Sequence, residues 1–299
     1  MDLGFLAELD EKGIAYALDE NVASRSTFKI GGVAAVALYP DTVDKLCEAL
    51  SVLRGAGVKY EVIGNASNTL FAFDRYNGAL IFTAGINEYS IEGDAIYASC
   101  GASIVHLANL ARDNGLSGLE FASGIPARLG GAIAMNAGAH ASQMSDIVEY
   151  TDAFDVESGK KIRIYNNEFG YRESIFLNNR SLVCLGAFLR LKRGDPLKIG
   201  ELMRANNEKR RASQPLEAPS AGSYFKRPEN DFAGRLIEAC GLKGEGVGGA
   251  MVSPKHAGFI VNAGGATYRD VLLLEEKIKE RVASRFGVML CREVRLVED

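Results

Sequence analysis

The sequence predicts an α+β protein in which short strands and amphipathic helices alternate along most of the chain. Helical spacing is clear twice, because apolar residues recur at intervals of three and four within 43–53 and again within 271–286. Short β-branched and aromatic runs, such as 36–39 and 95–99, are typical of strands. With 299 residues, the chain is long enough for two or three domains.

The elements of the N-terminal part follow from start and stop signals. We expect Asp41 to cap the first of these helices, Gly55 to end it, and Gly115 to end a second helix. Three glycines and a proline fall within eight residues of the block 118–138, so we expect no regular helix or strand there. The predicted order is strand 36–39, helix 43–53, strands 59–63, 79–83 and 95–99, helix 103–114, and strands 153–156, 161–165 and 182–192 in a mixed or antiparallel sheet.

The clearest break in the chain is at 193–196, where Gly and Pro both interrupt regular structure. The part beyond it is smaller and again mixes helices with strands. Its predicted elements are a helix near 198–211, a loop rich in Ser, Ala and Gly, a helix at 231–240, strands near 247–252 and 257–262, a long helix with its apolar stripe over 271–286, and a final strand at 288–297.

Composition excludes several classes of function. The formal net charge of −4 does not favour a nucleic-acid partner. The first residues carry acids where a secretion signal needs a basic start, and no stretch approaches the roughly 20 apolar residues that span a bilayer, so we expect a cytoplasmic protein without membrane insertion. The five cysteines are scattered without a C-x-x-C pair, so we expect small core residues and no metal site.

Two glycine-rich phrases have the composition of a phosphate-binding backbone. The first is Ile63-Gly64-Asn65-Ala66-Ser67-Asn68, at the end of a predicted strand, where small and turn-forming residues can aim several N–H groups at one point. The second contains Ser123-Gly124-Ile125-Pro126, then Gly130-Gly131-Ala132 and Asn136, and its small residues let a ligand approach the backbone closely. Two such phrases in one chain favour a large cofactor that carries phosphate.

A third glycine-rich phrase is excluded as a dinucleotide site. Residues 244–249 match G-x-G-x-x-G, and Asp270 follows about 20 residues later, where a dinucleotide-binding fingerprint has an acidic residue. However, a predicted helix end precedes these glycines, and Pro254 lies where the next helix should run. We therefore interpret this phrase as a turn.

Three further phrases carry candidate catalytic groups. Arg172 lies among aromatic residues, next to Tyr171, where shielding from water strengthens pairing with a carboxylate. Gly222 allows the backbone to present the hydroxyl of Ser223. The third phrase is the end of the chain around Glu293. Other groups that can contact a ligand are Lys226 and Arg227, which suit a diphosphate, and His140 and His256, which border glycine-rich loops.

Each phrase taken singly also has an ordinary structural explanation. The first glycine-rich phrase can be a β-turn, and the second a tightly packed loop under a sheet. Ser223 can be a loop or capping serine, and Arg172 and Glu293 can be solvent-facing residues. His106, in a predicted helix, is interpreted as structural. No order of Ser, His and Asp indicates a hydrolase triad.

Taken together, the phrases resemble those of the UDP-N-acetylenolpyruvoylglucosamine reductases, and the resemblance covers nearly the whole chain in order. Six motifs carry it. They are Arg25-Ser26-Thr27-Phe28-Lys29-Ile30-Gly31-Gly32, residues 63–68, residues 124–138, Tyr171-Arg172-x-Ser174-x-Phe176, Ala221-Gly222-Ser223-x-Phe225 and Glu293-Val294-Arg295. The length and the uninterrupted run through Tyr171 are similar to the shorter subfamily, which lacks an extra substrate loop.

The resemblance implies a fold and a division into domains. It implies a PCMH-type FAD-binding domain of two subdomains and a C-terminal α+β substrate domain. The expected division is an N-terminal helix at 1–19, the FAD-binding domain at 20–195 with subdomains at about 20–78 and 79–195, and the substrate domain at 196–299.

It also implies a reaction. Non-covalent FAD, reduced by NADPH, would reduce the enolpyruvyl group of a UDP-sugar to give UDP-N-acetylmuramate, in a monomer or weak oligomer. Arg172 and Glu293 would grip the substrate carboxylate, and Ser223 would donate a proton to carbon. Both glycine-rich phrases and Arg210 would bind FAD, and Tyr171, Lys226, Arg227 and His256 would bind substrate.

The chain departs from the family pattern at two places that matter. Ala127-Arg128 stands where Gly-Thr or Gly-Ser is common, and Arg227 stands where some members carry Asn. Two other functions remain open from the sequence. A flavin oxidase, which could tether flavin through His140, would release no yellow colour on acid precipitation, and a non-enzymatic nucleotide-binding module would be colourless.

Overall fold

The structure is a computed structural model that describes residues 3–299. Two residues of the predicted N-terminal helix, 1 and 2, lie outside this range. Within it, the helix covers only Leu6–Glu11, because Gly13 turns the chain with a φ of +60° and a strand starts at Ala15. No helix among the described residues is long and apolar enough to cross a membrane.

The helices alternate with strands as the sequence predicts. In chain order they are α1 (Leu6–Glu11), α2 (Val43–Gly55), α3 (Ile104–Asp113), α4 (Leu129–Ala134), α5 (Ile175–Asn178), α6 (Pro196–Ser213), α7 (Ala233–Ala239) and α8 (Tyr268–Phe286).

The strands are short, and most of them belong to three sheets. In chain order they are β1 (Ala15–Asn21), β2 (Val33–Tyr39), β3 (Tyr60–Ile63), β4 (Thr69–Phe71), β5 (Arg75–Phe82), β6 (Tyr89–Glu92), β7 (Ala95–Ser99), β8 (Leu116–Ser117), β9 (Gly138–Ala139), β10 (Ser142–Gln143), β11 (Val148–Asp155), β12 (Lys160–Ile164), β13 (Leu182–Arg190), β14 (Lys192–Arg193), β15 (Ser220–Ser223), β16 (Gly246–Val247), β17 (Ala250–Val252), β18 (Phe259–Asn262) and β19 (Arg295–Val297).

Packing divides the chain into two units that interleave along the sequence. The first unit comprises Met1–Leu18, Val36–Asn65 and Asn77–Lys209, and the second comprises Asp19–Ala35, Ala66–Tyr76 and Arg210–Asp299. The division into domains at 1–19, 20–195 and 196–299 stays a prediction.

The first unit is organised around two sheets. The larger has the order β12-β11-β13-β7-β6 with every neighbour antiparallel, which is the antiparallel one of the two predicted alternatives, mixed or antiparallel. The other has the order β1-β2-β5-β3, and most of its residues belong to this unit. Two apolar cores fill the unit, one around α3 and α4 and one around α2.

The second unit is built on an antiparallel sheet with the order β15-β18-β17-β16. Helix α8 contributes Val271, Leu274, Ile278 and Val282 to the same apolar core as Val252 and Ile260 of the sheet. A separate parallel pair joins β4 to β19. The phrase at 244–249 is a turn, as predicted, because β16 and β17 form a hairpin around Gly248.

Several predicted details are wrong. Thr42, not Asp41, caps α2, since its side chain accepts the N–H of Lys45. The glycine block 118–138 contains helix α4, at the start of which the Gly130 N–H donates to the Cys100 carbonyl oxygen.

Three further predictions fail beyond residue 213. The predicted Ser/Ala/Gly-rich loop contains strand β15, which pairs with β18. The final strand shrinks to Arg295–Val297, because the chain before it makes only a single bridge, Phe225 to Arg292. Cys47, Cys100 and Cys184 are buried as predicted, whereas Cys291 is exposed.

Candidate active site

The first glycine-rich phrase starts at the end of β3. Within the first unit, the Asn65 side-chain amide donates a hydrogen bond to the Pro126 carbonyl oxygen over 2.8 Å. A Cβ on Gly64 would lie 3.2 Å from the Cβ of Arg128. The two predicted phosphate-binding phrases are therefore neighbours, and a bare backbone at Gly64 is what allows this close approach.

The second phrase is more regular than the sequence suggests. Ser123 is buried at the end of a 3₁₀ turn, and its hydroxyl donates to the Glu120 carbonyl oxygen over 2.9 Å. The Gly130 N–H donates to the Cys100 carbonyl oxygen over 2.8 Å, and the Ala132 N–H bonds to Arg128. Gly131, in contrast, is exposed, and a Cβ there would meet nothing within 4 Å. Among these residues, Gly131 thus offers the most open backbone to a ligand.

Arg128 stands at the junction of the two phrases. It is the N-cap residue of α4, is half-buried, and its guanidinium donates to the Gly101 carbonyl oxygen over 3.2 Å. The aliphatic part of Arg128 lies beside Gly64, and the cation at the end of this side chain suits the negative charge of a diphosphate. In the sequence, Arg128 is distinguished only as a departure from the family pattern.

The rest of the first phrase, residues 66–68, belongs to the second unit. Thr27 lies beside it, since its hydroxyl donates to the Ser220 carbonyl oxygen over 2.8 Å and approaches that of Ala66 at 3.5 Å. The Asn68 side-chain amide donates to the Glu293 carbonyl oxygen over 3.1 Å. Thr27 had no assigned role, although it lies in the motif at 25–32 that carries part of the family resemblance.

Left-handed backbone recurs at predicted site residues that are not glycine. The φ angles are +46° at Ala66, +39° at Asn136 and +59° at Arg172. Such conformations are uncommon for non-glycine residues and concentrate where a site needs a particular backbone direction. Their presence at three predicted positions supports the choice of these phrases as a site.

Arg172 is joined to the second glycine-rich phrase within the first unit. Its guanidinium donates to the carbonyl oxygens of Gly138, over 3.0 Å, and Asn136, over 3.4 Å. The side-chain amide of buried Asn136 in turn donates to the Gly170 carbonyl oxygen over 2.9 Å. Tyr171 is exposed, with its ring centre 5.3 Å from the Arg172 guanidinium. These bonds fix the guanidinium and leave the tyrosine ring accessible.

Ser223 and Glu293 lie on neighbouring segments of the second unit. Ser223 is exposed at the end of β15, directly after Gly222, whose φ is +80°. The Glu293 N–H donates to the carbonyl oxygen of Tyr224 over 2.9 Å, and the Lys226 N–H donates to that of Cys291 over 2.8 Å. Both candidate catalytic residues are thus held by one short antiparallel contact.

Three other predicted residues are placed as follows. Burial lowers the pKa of Arg210, which is half-buried at the end of α6. The Nδ1 atom of His256 accepts the Gly258 N–H over 3.0 Å, and burial lowers the pKa of this imidazole. Arg227 is exposed, with its guanidinium 4.4 Å from the ring centre of Phe232.

The donor set of the first unit fits FAD. Small residues at Gly64 and Gly131, an amide at Asn65 and the cation of Arg128 provide hydrogen-bond donors and space for a diphosphate. Within residues 3–299, no group of three or more His, Cys, Asp or Glu residues is arranged to hold a metal ion.

Two known protein families match separate stretches of the chain. A family described as the FAD binding domain matches residues 34–165, and one described as the C-terminal domain of UDP-N-acetylenolpyruvoylglucosamine reductase matches residues 214–297. The predicted α+β fold with an FAD-binding domain is therefore confirmed.

Whole-chain relatives agree with these matches. The chain is 42% identical over 294 residues to a UDP-N-acetylenolpyruvoylglucosamine reductase of Caldanaerobacter subterraneus, which covers 98% of this chain and 96% of the relative. It is 39% identical to the Bacillus subtilis protein of the same name, over 98% of this chain and 97% of that one. A crystal structure of the reductase from Thermus caldophilus superposes with a TM-score of 0.80 at 32% identity, covering 95% of this chain and 99% of that one.

Proposed function

This chain belongs to the UDP-N-acetylenolpyruvoylglucosamine reductase family, and from that premise we propose that it reduces the enolpyruvyl ether of UDP-N-acetylglucosamine to UDP-N-acetylmuramate, with NADPH as reductant. The chain is an oxidoreductase with an FAD-binding domain. When bound, FAD would accept a hydride from NADPH and pass it to the methylene carbon of the substrate.

The chemistry requires electrostatic help from the protein. An enol ether is electron-rich, so hydride addition needs its carboxylate to withdraw electrons and needs the developing enediolate-like charge to be stabilised. We assign this work to Arg172, whose planar guanidinium suits a carboxylate, and to Glu293, acting through a proton or a bound water. Lys226, near Ser223 in the chain, would stabilise an alkoxide there.

Ser223 is assigned as the proton donor to the adjacent carbon. A serine hydroxyl is a very weak acid, so this transfer is plausible only to a strongly basic, enolate-like carbon. The observation that carries the assignment is the bond from the Glu293 N–H to the carbonyl oxygen of Tyr224, the residue after Ser223. This bond joins the segment of Ser223 to that of Glu293, which supports the assignment of both residues to one site.

The binding residues form two groups in this proposal. Residues assigned to FAD are Ile63, Gly64, Asn65, Ala66, Ser67, Asn68, Ser123, Gly124, Ile125, Pro126, Gly130, Gly131, Ala132, Asn136 and Arg210, together with Arg128. Those assigned to the UDP-sugar are Tyr171, Lys226, Arg227 and His256. We further propose that the enzyme works in the cytoplasm as a monomer or weak oligomer.

The deciding experiment follows the visible spectrum of the purified protein. We expect oxidised flavin bands that bleach on anaerobic addition of NADPH and return on addition of the enolpyruvyl substrate. NADH in a parallel sample should bleach the flavin more slowly. A flavin that is reoxidised by oxygen but not by the enolpyruvyl substrate would contradict the proposed function.

A further inference from the structure

A carboxylate is fully enclosed in the core of the second unit. The Glu275 side chain lies on α8 and has no exposed surface. Its Oε2 atom accepts hydrogen bonds from the Tyr224 hydroxyl, over 2.8 Å, and from the Arg292 Nε, over 2.7 Å. Its Oε1 atom lies 2.5 Å from the Lys279 Nζ. One buried anion is thus held by two hydrogen bonds and one ion pair.

The network keeps this carboxylate charged. Burial by itself would raise the pKa of Glu275, but the bonds from Arg292, Lys279 and Tyr224 outweigh that effect and hold the pKa below its usual value. The surrounding residues, Val271, Leu274 and Ile278, are apolar and buried.

Stability is a weak reason for such an arrangement. Removing charges from water costs several kcal/mol per ion, and well-packed apolar residues in place of a buried ion pair are often about as stable. What ion pairs and hydrogen bonds add is a fixed geometry, because the partners are held at defined positions and angles.

The two hydrogen-bond partners of Glu275 are sequence neighbours of two candidate catalytic residues, Ser223 and Glu293. Tyr224 follows Ser223, and Arg292 precedes Glu293. The backbones of these two segments contact each other through the Phe225–Arg292 bridge and the bond from the Glu293 N–H to the Tyr224 carbonyl oxygen. The carboxylate therefore holds the two segments by their side chains, while the backbone bonds hold them directly.

We infer that Glu275 is a positioning residue that fixes Ser223 and Glu293 relative to each other by binding Tyr224 and Arg292. The inference rests on the proposed function for the roles of Ser223 and Glu293. Glu275 itself need not touch the substrate, since its partners are the side chains of neighbouring residues.

The first test compares two Glu→Gln variants, one at Glu275 on α8 and one at Glu245, which pairs with a lysine of α8. Glu275→Gln removes the anion at nearly constant volume. The control Glu245→Gln removes the ion pair between Glu245 and Lys277, on the same helix. We expect Glu275→Gln to retain FAD and to be reduced by NADPH at the normal rate, but to be reoxidised by the enolpyruvyl substrate at least about tenfold more slowly. Glu245→Gln should change neither rate.

Two outcomes would overturn the inference. One is reoxidation of Glu275→Gln at the wild-type rate. The other is an equal loss in both half-reactions that follows the loss of folded protein, which would mean a purely structural role. If the wild-type flavin is not reoxidised by this substrate, the proposed function itself has failed, so the two failures are distinguishable.

A second variant guards against loss of folding. Tyr224→Phe keeps the ring in the core and removes only the hydroxyl that bonds to Glu275. We expect slower reoxidation with little change in the melting temperature. In the double variant with Glu275→Gln, reoxidation should be slowed by less than the product of the two separate factors, because both changes remove the same bond. Fully multiplicative effects would contradict a shared positioning role.

Discussion

The Arg172 guanidinium donates a hydrogen bond to the carbonyl oxygen of Gly138 over 3.0 Å. This bond attaches the proposed substrate-binding cation to the end of the glycine-rich phrase assigned to FAD. A second bond, to the Asn136 carbonyl oxygen, uses the other terminal nitrogen of the same guanidinium. The direction of the cation is therefore set by the backbone of the cofactor phrase.

Arg172→Lys tests whether this direction matters. Lysine keeps the charge but cannot form both bonds with the same planar geometry. We expect kcat/KM for the enolpyruvyl substrate to fall at least about tenfold while the rate of flavin reduction by NADPH stays within about twofold. Arg163→Lys, which changes an arginine paired with Asp152, is the matched control and should behave as wild type. Equal kcat/KM values for both variants would argue against the assigned role.

Ser223→Ala tests the proton donor. The side chain is exposed and follows Gly222, so alanine should fit without disturbing β15. Stopped-flow absorbance should show normal flavin reduction by NADPH and loss of most reoxidation by substrate, about 10²-fold or more. Ser158→Ala, which removes a hydroxyl bonded to Asp155 in a surface turn, is the control. Normal reoxidation of the Ser223 variant would show that the proton comes from another group.

Glu293→Gln tests the second residue assigned to the carboxylate. The backbone of Glu293 bonds to Tyr224 and Asn68, and these bonds do not depend on the side chain. We therefore expect a folded flavoprotein whose substrate-dependent reoxidation is slowed at least about tenfold, with the NADPH half-reaction intact. Equal damage to both half-reactions would indicate misfolding instead.

Gly32→Ala tests the packing of the motif at residues 25–32. A Cβ at this position would lie 2.3 Å from the carbonyl oxygens of Phe73 and Asp74, so the backbone would have to move. We expect the free energy of unfolding to fall by about 1–3 kcal/mol or more, measured by urea denaturation. Gly55→Ala is the control, because a Cβ there meets nothing within 4 Å at the end of α2. A Gly32 variant as stable as wild type would mean that this segment tolerates displacement.

His256 should make stability depend on pH. Burial lowers the pKa of His256, so the unfolded chain binds a proton more readily than the folded one. The stabilisation that the neutral imidazole allows is therefore complete above the unfolded pKa of about 6.5. It is lost as the pH falls from there toward the lower, folded pKa. Between pH of about 7.5 and about 5.5, the melting temperature of His256→Asn should fall less than that of wild type. Equal decreases would assign the pH dependence to other groups.

The local sequence pattern predicted most helices and strands, because the signals for each of them lie close together in the sequence. The stripe of Val271, Leu274, Ile278 and Val282 is buried along α8 as expected. The helix in the glycine block was missed because its stability comes from tertiary contacts, such as the bond from the Gly130 N–H to Cys100. Strand β15 was missed for the same reason, since its residues are turn-formers that become a strand only beside β18.

The buried network could not be predicted from spacing. Glu275 lies four residues after Val271 on the apolar side of α8, but a lone Glu in a helix is usually solvated. Its partners Tyr224 and Arg292 lie 51 and 17 residues away along the chain. Only the three-dimensional packing identifies these groups as partners, and so the candidate positioning residue is a finding of the structure.

The interleaved composition of the second unit has a consequence for protein synthesis. Its strand β4 pairs in parallel with β19, so Thr69–Phe71 has no partner until the ribosome has translated Arg295–Val297. More than 220 residues of nascent chain separate the two strands. Strand β4 must therefore remain without this partner during most of translation, whereas the antiparallel sheet of the first unit, complete by Arg190, can form before the chain is released.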